Sequence, residues 1–362
     1  MSRLVFFVLL LIIPAISLAQ PDPPARTTDP LGYVCYRAEK PIKIDGKLDD
    51  PAWATAPWSD AFVDIEGAAK PKPRWRTRMK MLWDDQCLYI AAELEEPHLW
   101  ATLTEHDSVI FHDNDFEVFL DPDGDQQNYC ELELNAKNTT WDLLLAKPYH
   151  AGGRAINAWE ILGLRTAVHL DGTLNDPSDK DRGWTVEIAW PWKGLKELTE
   201  VPVPPGDGDQ WRINFSRVQW DLEVVDGKYQ KVADRKEHNW VWSPQGAIDM
   251  HRPERWGYLQ FSTAKPGSTA FRPDPERHVR DQLQRVYYAQ RAHHKQTGAY
   301  ANSLEALQLD LGRYSKNFRL ECTRSLFEAE LPAQANAASR WVISQDSWIR
   351  KVDPEKGKPS SK

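Results

Sequence analysis

Apolar and polar positions alternate with period two along most of this chain, and the pattern changes to helical spacing only near the C-terminus. Residues 33–36, 42–46, 74–82, 87–94, 116–120, 129–134, 140–146, 165–168, 184–190, 211–218 and 257–261 all read as short strands. Trp83-Asp84-Asp85-Gln86 separates two of these runs as a hairpin turn would. Leu48–Trp53, opened by Asp and carrying Pro51, predicts a single helical turn. In 116–120 the apolar residues Phe116, Val118 and Leu120 share one face, with Glu117 on the other. In the next run Leu132 and Leu134 face one way, and Glu131, Glu133 and Asn135 the other. Many short strands with no helix of more than a turn or two between them predict a mostly β protein, an antiparallel β-sandwich over 31–263.

The flanking segments differ. Ser2-Arg3, the apolar run Leu4 to Ile13 and the small-x-small site Ser17-Leu18-Ala19 form the pattern of a secretory signal peptide over 1–19. Ten apolar residues fall short of the roughly 20 that span a bilayer, so no membrane insertion is expected after cleavage. The expected location is therefore exported, periplasmic or extracellular. Residues 20–30 (QPDPPARTTDP) read as a disordered leader, and 264–275 as a second linker rich in Pro, Gly and Ser. Beyond it Val279, Leu283, Val286 and Tyr287 have helix spacing, with Gly298 past the end. A second short helix at 303–309 and a hairpin from 326–331 and 341–344 complete a small α+β region, 276–350, before a basic tail at 351–362. The composition shift at 264 predicts that 31–263 folds as a unit.

Composition narrows the function classes. The net charge of −8 argues against a nucleic-acid partner, which normally meets a basic stripe. Tryptophan is unusually abundant, 17 residues against 11 Phe and 11 Tyr, and such rings serve both thick β cores and platforms for flat ligands. Trp184 and Trp190 share parity with Val186 and Ile188 and read as core, whereas Trp141, Trp159, Trp240 and Trp242 lie nearest loops. Four cysteines in so long a chain do not make a disulfide scaffold; Cys87 and Cys130, inside apolar strands, read as buried thiols. The histidines lack metalloenzyme spacing, and no GxSxG elbow supports nucleophilic hydrolysis.

Two constellations carry candidate chemistry. Asp115, Glu117, Glu131, Glu133 and Asn135 form one polar patch if their strands pair. A solvated face more often mixes signs than places like charges opposite one another, so a binding role is expected. Asp121-Pro122-Asp123-Gly124-Asp125 spaces three carboxylates at i, i+2 and i+4, the start of a calcium loop or an Asp/Gly-rich turn; Gln126 and Leu132 exclude an EF-hand.

Five blocks in order then resemble a family. They are Ile44-Asp45-Gly46 with Asp49-Asp50-Pro51-Ala52-Trp53, Leu82-Trp83-Asp84-Asp85, Asn114 to Asp121, Trp184 to Trp192, and Trp256-Gly257-Tyr258-Leu259. Together they make the sandwich similar to a carbohydrate-binding module of family 9, within the DOMON-like group. The resemblance implies calcium-supported binding of an oligo- or polysaccharide, often at a chain end, between two aromatic planes. It assigns the key hydrogen-bonding acid to Glu117 and the first aromatic platform to Phe111. The second platform falls on Met250, and a basic residue expected on the next strand falls on Glu133. The candidate carbohydrate site is thus Phe111, Asn114, Asp115, Glu117, Glu131, Glu133, Asn135, Trp141 and Trp240, and the candidate metal ligands are Asp121, Asp123 and Asp125.

The expected function is non-catalytic glycan recognition in polysaccharide catabolism. Two alternatives stand beside it: a b-type haem electron-transfer module, since Met250 and His251 are possible axial ligands, and a glycoside hydrolase built on paired carboxylates. The segment from the C-terminal helix through Leu307 resembles the head of type IV pilin-like proteins.

Overall fold

The computed structural model describes residues 29–336 and 338–353. The expected signal peptide, all but the end of the 20–30 leader, and the tail beyond Asp353 lie outside the described residues.

The alternating runs become strands. The first half of the sandwich holds β1 (Gly32–Arg37), β2 (Val63–Asp64), β3 (Thr77–Trp83), β4 (Cys87–Glu95), β5 (Asp115–Asp121) and β6 (Tyr129–Asn135). It continues with β7 (Thr140–Leu145), β8 (Ala155–Ile156), β9 (Arg165–Asp171), β10 (Gly183–Pro191) and β11 (Gln210–Gln219). A separate hairpin, β12 (Leu222–Val225) and β13 (Lys228–Lys231), precedes β14 (His238–Val241) and β15 (Gly257–Ser262). The run 42–46 is not a strand, because its backbone groups are taken by a side chain described below. Strands β2, β8 and β12 to β14 fall outside the predicted series.

One sheet runs in the order β8-β7-β6-β5-β11-β15-β1-β3-β4-β10-β9, with β14 and β2 attached at β11. Strand β1 is parallel to both neighbours, β15 and β3. The sheet curls over itself. Phe116, Val118, Leu132 and Leu134 of one half meet Leu88, Ile90, Val186 and Ile188 of the other in a single buried cluster. Burial of such a double layer is the main stabilising term of a sandwich.

The sequence blocks have structural causes. Glu187 on β10 accepts from the Asp45 and Gly46 N–H groups at 2.9 and 2.8 Å, and from the Trp53 indole N–H at 2.7 Å. That carboxylate pins the entry loop and its helical turn to the back of the sheet. Gly46 has φ 84°, and a Cβ there would sit 2.5 Å from the Val168 carbonyl carbon, so only glycine fits. Asp84 closes the β3–β4 hairpin by accepting from the Gln86 and Cys87 N–H groups. Among the described residues all four cysteines are free thiols, with Cys35, Cys87 and Cys130 buried.

The C-terminal region is helix α1 (Arg277–Thr297) packed on a sheet of β16 (Arg319–Cys322), β17 (Phe327–Pro332), β18 (Arg340–Ser344) and β19 (Ile349–Val352). Residues 303–309 form hydrogen-bonded turns rather than a helix. This region docks on the sandwich. Gln126 bonds both Gln284 and Ser347, Trp348 donates to Asp125, Lys147 pairs with Asp346, and Tyr288 donates to Glu254. The 264–275 segment runs along the sandwich: Tyr36 donates to the Thr269 carbonyl, and Arg272 N–H to Gln260.

Candidate functional site

Pairing of β5 with β6 sets Asp115 opposite Asn135, Glu117 opposite Glu133 and Phe119 opposite Glu131. Pairing of β6 with β7 then sets Glu133 opposite Trp141 and Glu131 opposite Leu143. By strand parity Glu117, Glu131, Glu133, Trp141 and Leu143 all face away from the sandwich core. This outer face is not open to solvent. Loops carrying Val109 to Phe111 and Met250 cover it, making a second apolar cluster with Ile65, Phe119, Tyr129, Trp141, Leu143 and Val241. The acids are therefore buried, with exposures of 5% for Glu117, 4% for Glu131 and 2% for Glu133.

Between face and loops lies a cavity of about 250 Å³. Glu117, Glu131, Glu133, Phe111, Phe119, Trp141 and Leu143 line it, together with Tyr149, Val218, Glu237, Asn239 and residues 248–251. The Phe111 and Trp141 ring centroids are 6.5 Å apart with planes tilted by 31°. That is contact distance for two rings, so they form one continuous panel and do not clamp a third ring between them. The exposed side chains of Tyr149 and Ile248 stand at the rim.

Burial is the leading cause that shifts these acids. It raises Glu117 from 4.5 to about 7, with the nearby Ser216 hydroxyl opposing and Glu237 adding to the rise. Burial, then the neighbouring carboxylates, pushes Asp115, Glu131 and Glu133 well above the usual range. His251 is pushed down to about 4 by burial, so it is neutral at physiological pH. Its Nδ1 faces the Tyr129 hydroxyl at 3.1 Å and its Nε2 faces Glu131 at 3.7 Å.

Among the described residues, several buried polar atoms in and beside the cavity lack a partner, Ser216 Oγ opposite Glu117 among them. Asp115 accepts from Val218 N–H through Oδ1, while its buried Oδ2 has no hydrogen bond. The Trp141 indole N–H is likewise buried without an acceptor. Carboxylate oxygens of Asp115, Glu117 and Glu133 lie within 4.8 Å of one another.

The remaining sequence candidates are placed elsewhere. Asn114 accepts from Trp220 N–H and donates to Glu96, and Asn135 bonds Leu103, Asp113, Lys137 and Thr139; both amides are tied into loops. Trp240 packs edge-on to Trp75 in the sandwich core. Trp242 is buried there too, and Trp159 donates to Glu197. The sequence reading leaves Tyr149, Glu237, Asn239 and Ile248 out of the site. Their strands and loops are far from Glu117 in sequence, and only the Asp226-Gly227 hairpin signal before β14 pointed to the element that brings Glu237 and Asn239 in.

Asp121, Asp123 and Asp125 also bring carboxylate oxygens within 4.8 Å. Asp121 accepts from Gly124 and Gln126 N–H, and Asp125 from Gln127 N–H and the Trp348 indole. Asp123 Oδ1 is buried without a partner. Burial and mutual repulsion raise Asp121 well above the usual range and Asp125 to about 7. An all-oxygen donor set of this charge fits a hard divalent cation such as calcium.

Residues 44–262 match the family described as carbohydrate family 9 binding domain-like. The chain belongs to this family. A carbohydrate-binding module of family 9 from Caldicellulosiruptor kristjanssonii, solved with cellotriose, is 17% identical over 67% of this chain and all of its own, with a TM-score of 0.41. The same organism's module in complex with glucose is 18% identical over 66% of this chain and all of its own, with a TM-score of 0.41. A Bacteroides uniformis protein described as a candidate carbohydrate-binding protein is 15% identical over 65% of this chain and all of its own, with a TM-score of 0.48. No curated protein matches the chain. Among the described residues no helix is long and apolar enough to cross a membrane.

Proposed function

We propose that this member of the family is an exported, non-catalytic protein that binds glycan in the cavity over β5, β6 and β7. The observation that carries the reading is the juxtaposition of the Phe111–Trp141 panel with the buried carboxylates of Glu117 and Glu133 in one cavity. A sugar ring offers an apolar face to aromatic carbons and a rim of hydroxyls to polar groups, and this cavity supplies both. Its small volume suits a terminal residue better than the middle of a chain, which supports chain-end recognition. The signal-peptide pattern at residues 1–19 supports export. Asp121, Asp123 and Asp125 would hold calcium and brace the β5–β6 turn. The haem reading is less well supported: both His251 nitrogens already face polar groups, the Tyr129 hydroxyl and the Glu131 carboxylate.

A glycan array probed with the full chain tests the proposal. Saturable binding to a set of related glycans, with no reducing sugar released from them, is expected. Binding to none, or release of reducing sugar, contradicts it.

A further inference from the structure

The cavity's charge is one-sided. Among its lining residues Glu117, Glu131, Glu133, Glu237 and Asp249 are acids, none is Lys or Arg, and His251 is neutral. Asp115 stands behind them with an unpartnered oxygen. Buried carboxylates this close need either shared protons or a cation between them. An ammonium nitrogen makes charge-assisted bonds at roughly 2.8 Å, so the oxygens around it stand at most about 5.6 Å apart. Those of Asp115, Glu117 and Glu133 lie within 4.8 Å, which fits.

The unpartnered Trp141 N–H decides between kinds of cation. A bare metal ion would satisfy the carboxylates but offers the indole no acceptor, and it leaves the aromatic panel bare. A ligand that carries a positive charge, a hydroxyl acceptor and a flat apolar face satisfies all three features.

We propose that the cavity recognises an amino sugar, a glycan residue with a free ammonium group. Glu117 and Glu133 contact the ammonium, with Asp115 behind them adding its charge, the Trp141 N–H donates to a ring or hydroxyl oxygen, and Phe111 and Trp141 cover the apolar face. This rests on the carbohydrate-binding reading above and names its ligand class.

The test titrates the full chain with a glucosamine trisaccharide and with the same trisaccharide fully N-acetylated, both in EDTA. The charged sugar is expected to bind at least tenfold tighter. Glu133→Gln is expected to remove most of that preference while the fold, checked by circular dichroism, is kept. Glu237 is only half-buried, so Glu237→Gln serves as a second variant that does not disturb the core, and it should reduce the preference by severalfold. Equal or tighter binding of the N-acetylated sugar overturns the inference and leaves the carbohydrate-binding reading intact. Binding that appears only when calcium replaces EDTA, and keeps that calcium requirement in D121N/D123N, also overturns it, since the cavity carboxylates then hold a metal. An array and titrations without any glycan binding overturn both.

Discussion

Glu117 stands directly opposite Glu133 across β5 and β6, and both carboxyl groups are buried. Directly opposed like charges destabilise an antiparallel pair, and burial adds a desolvation cost. A fold that keeps such a pair carries it at the expense of stability, which is common where binding sets the sequence.

Glu117→Gln is therefore expected to stabilise the protein at pH 8. The folded-state pKa is raised from 4.5 to about 7, so the folded state holds the proton more tightly. Stability from this group is fully present below pH 4.5 and is lost as pH rises through about 7. At pH 8 the loss is roughly 3 kcal/mol, and Gln avoids it. Calorimetric melting of wild type and variant should show a higher Tm for the variant at pH 8, and the gap should close as the pH falls to 4.5. A lower Tm at pH 8 means the carboxylate is paired in a stabilising way.

Strand parity made much of this legible. The alternation of Phe116, Val118, Leu132 and Leu134 with Glu117, Glu131 and Glu133 fixed which residues share a face, and the acids do meet there. What parity could not reveal is that loops cover this face. The covering residues, Phe111, Tyr149 and Met250, are brought together only by the tertiary fold. Asn114 and Trp240 illustrate the converse. Both lie close in sequence to lining residues, yet Asn114 Oδ1 is spent on Trp220 N–H and Trp240 on the core. The composition change at 264 lies between the end of β15 at Ser262 and the start of α1 at Arg277, whereas hydrogen bonds such as Ser347 to Gln126 have no local signature.

The docked C-terminal region is expected to stabilise the sandwich. A fragment ending at 263 loses two buried bonds of Gln126, the part-buried Tyr288–Glu254 bond and the exposed Trp348–Asp125 bond, and each of the buried or part-buried ones costs about 1 kcal/mol to break. Its Tm should fall below that of the full chain by a shift equivalent to on the order of 3 kcal/mol. Trp348→Ala, which removes the indole bond to Asp125 and the Arg350 contact on its ring, should lower it less. Equal melting of fragment and full chain would show that the interface contributes nothing.

Calcium is expected to raise the Tm. A ligand bound only by the native state adds about 2.7 kcal/mol at one hundred times its Kd. The shift between EDTA and millimolar calcium should disappear in D121N/D123N. No shift in the wild type would leave the Asp121–Asp125 segment as a plain turn.

Glycan is proposed to bind on the Phe111–Trp141 panel. Calorimetric titration of the full chain with the tightest array glycan tests it, set against Phe111→Ala and Trp141→Phe. Phe111 is half-buried and Trp141→Phe keeps an aromatic ring, so both variants should remain folded. One saturable site is expected in the wild type, with at least a tenfold loss of affinity in Phe111→Ala, equivalent to about 1.4 kcal/mol. Trp141→Phe should show a smaller loss that tracks the missing indole N–H. Unchanged affinity in both variants would contradict it.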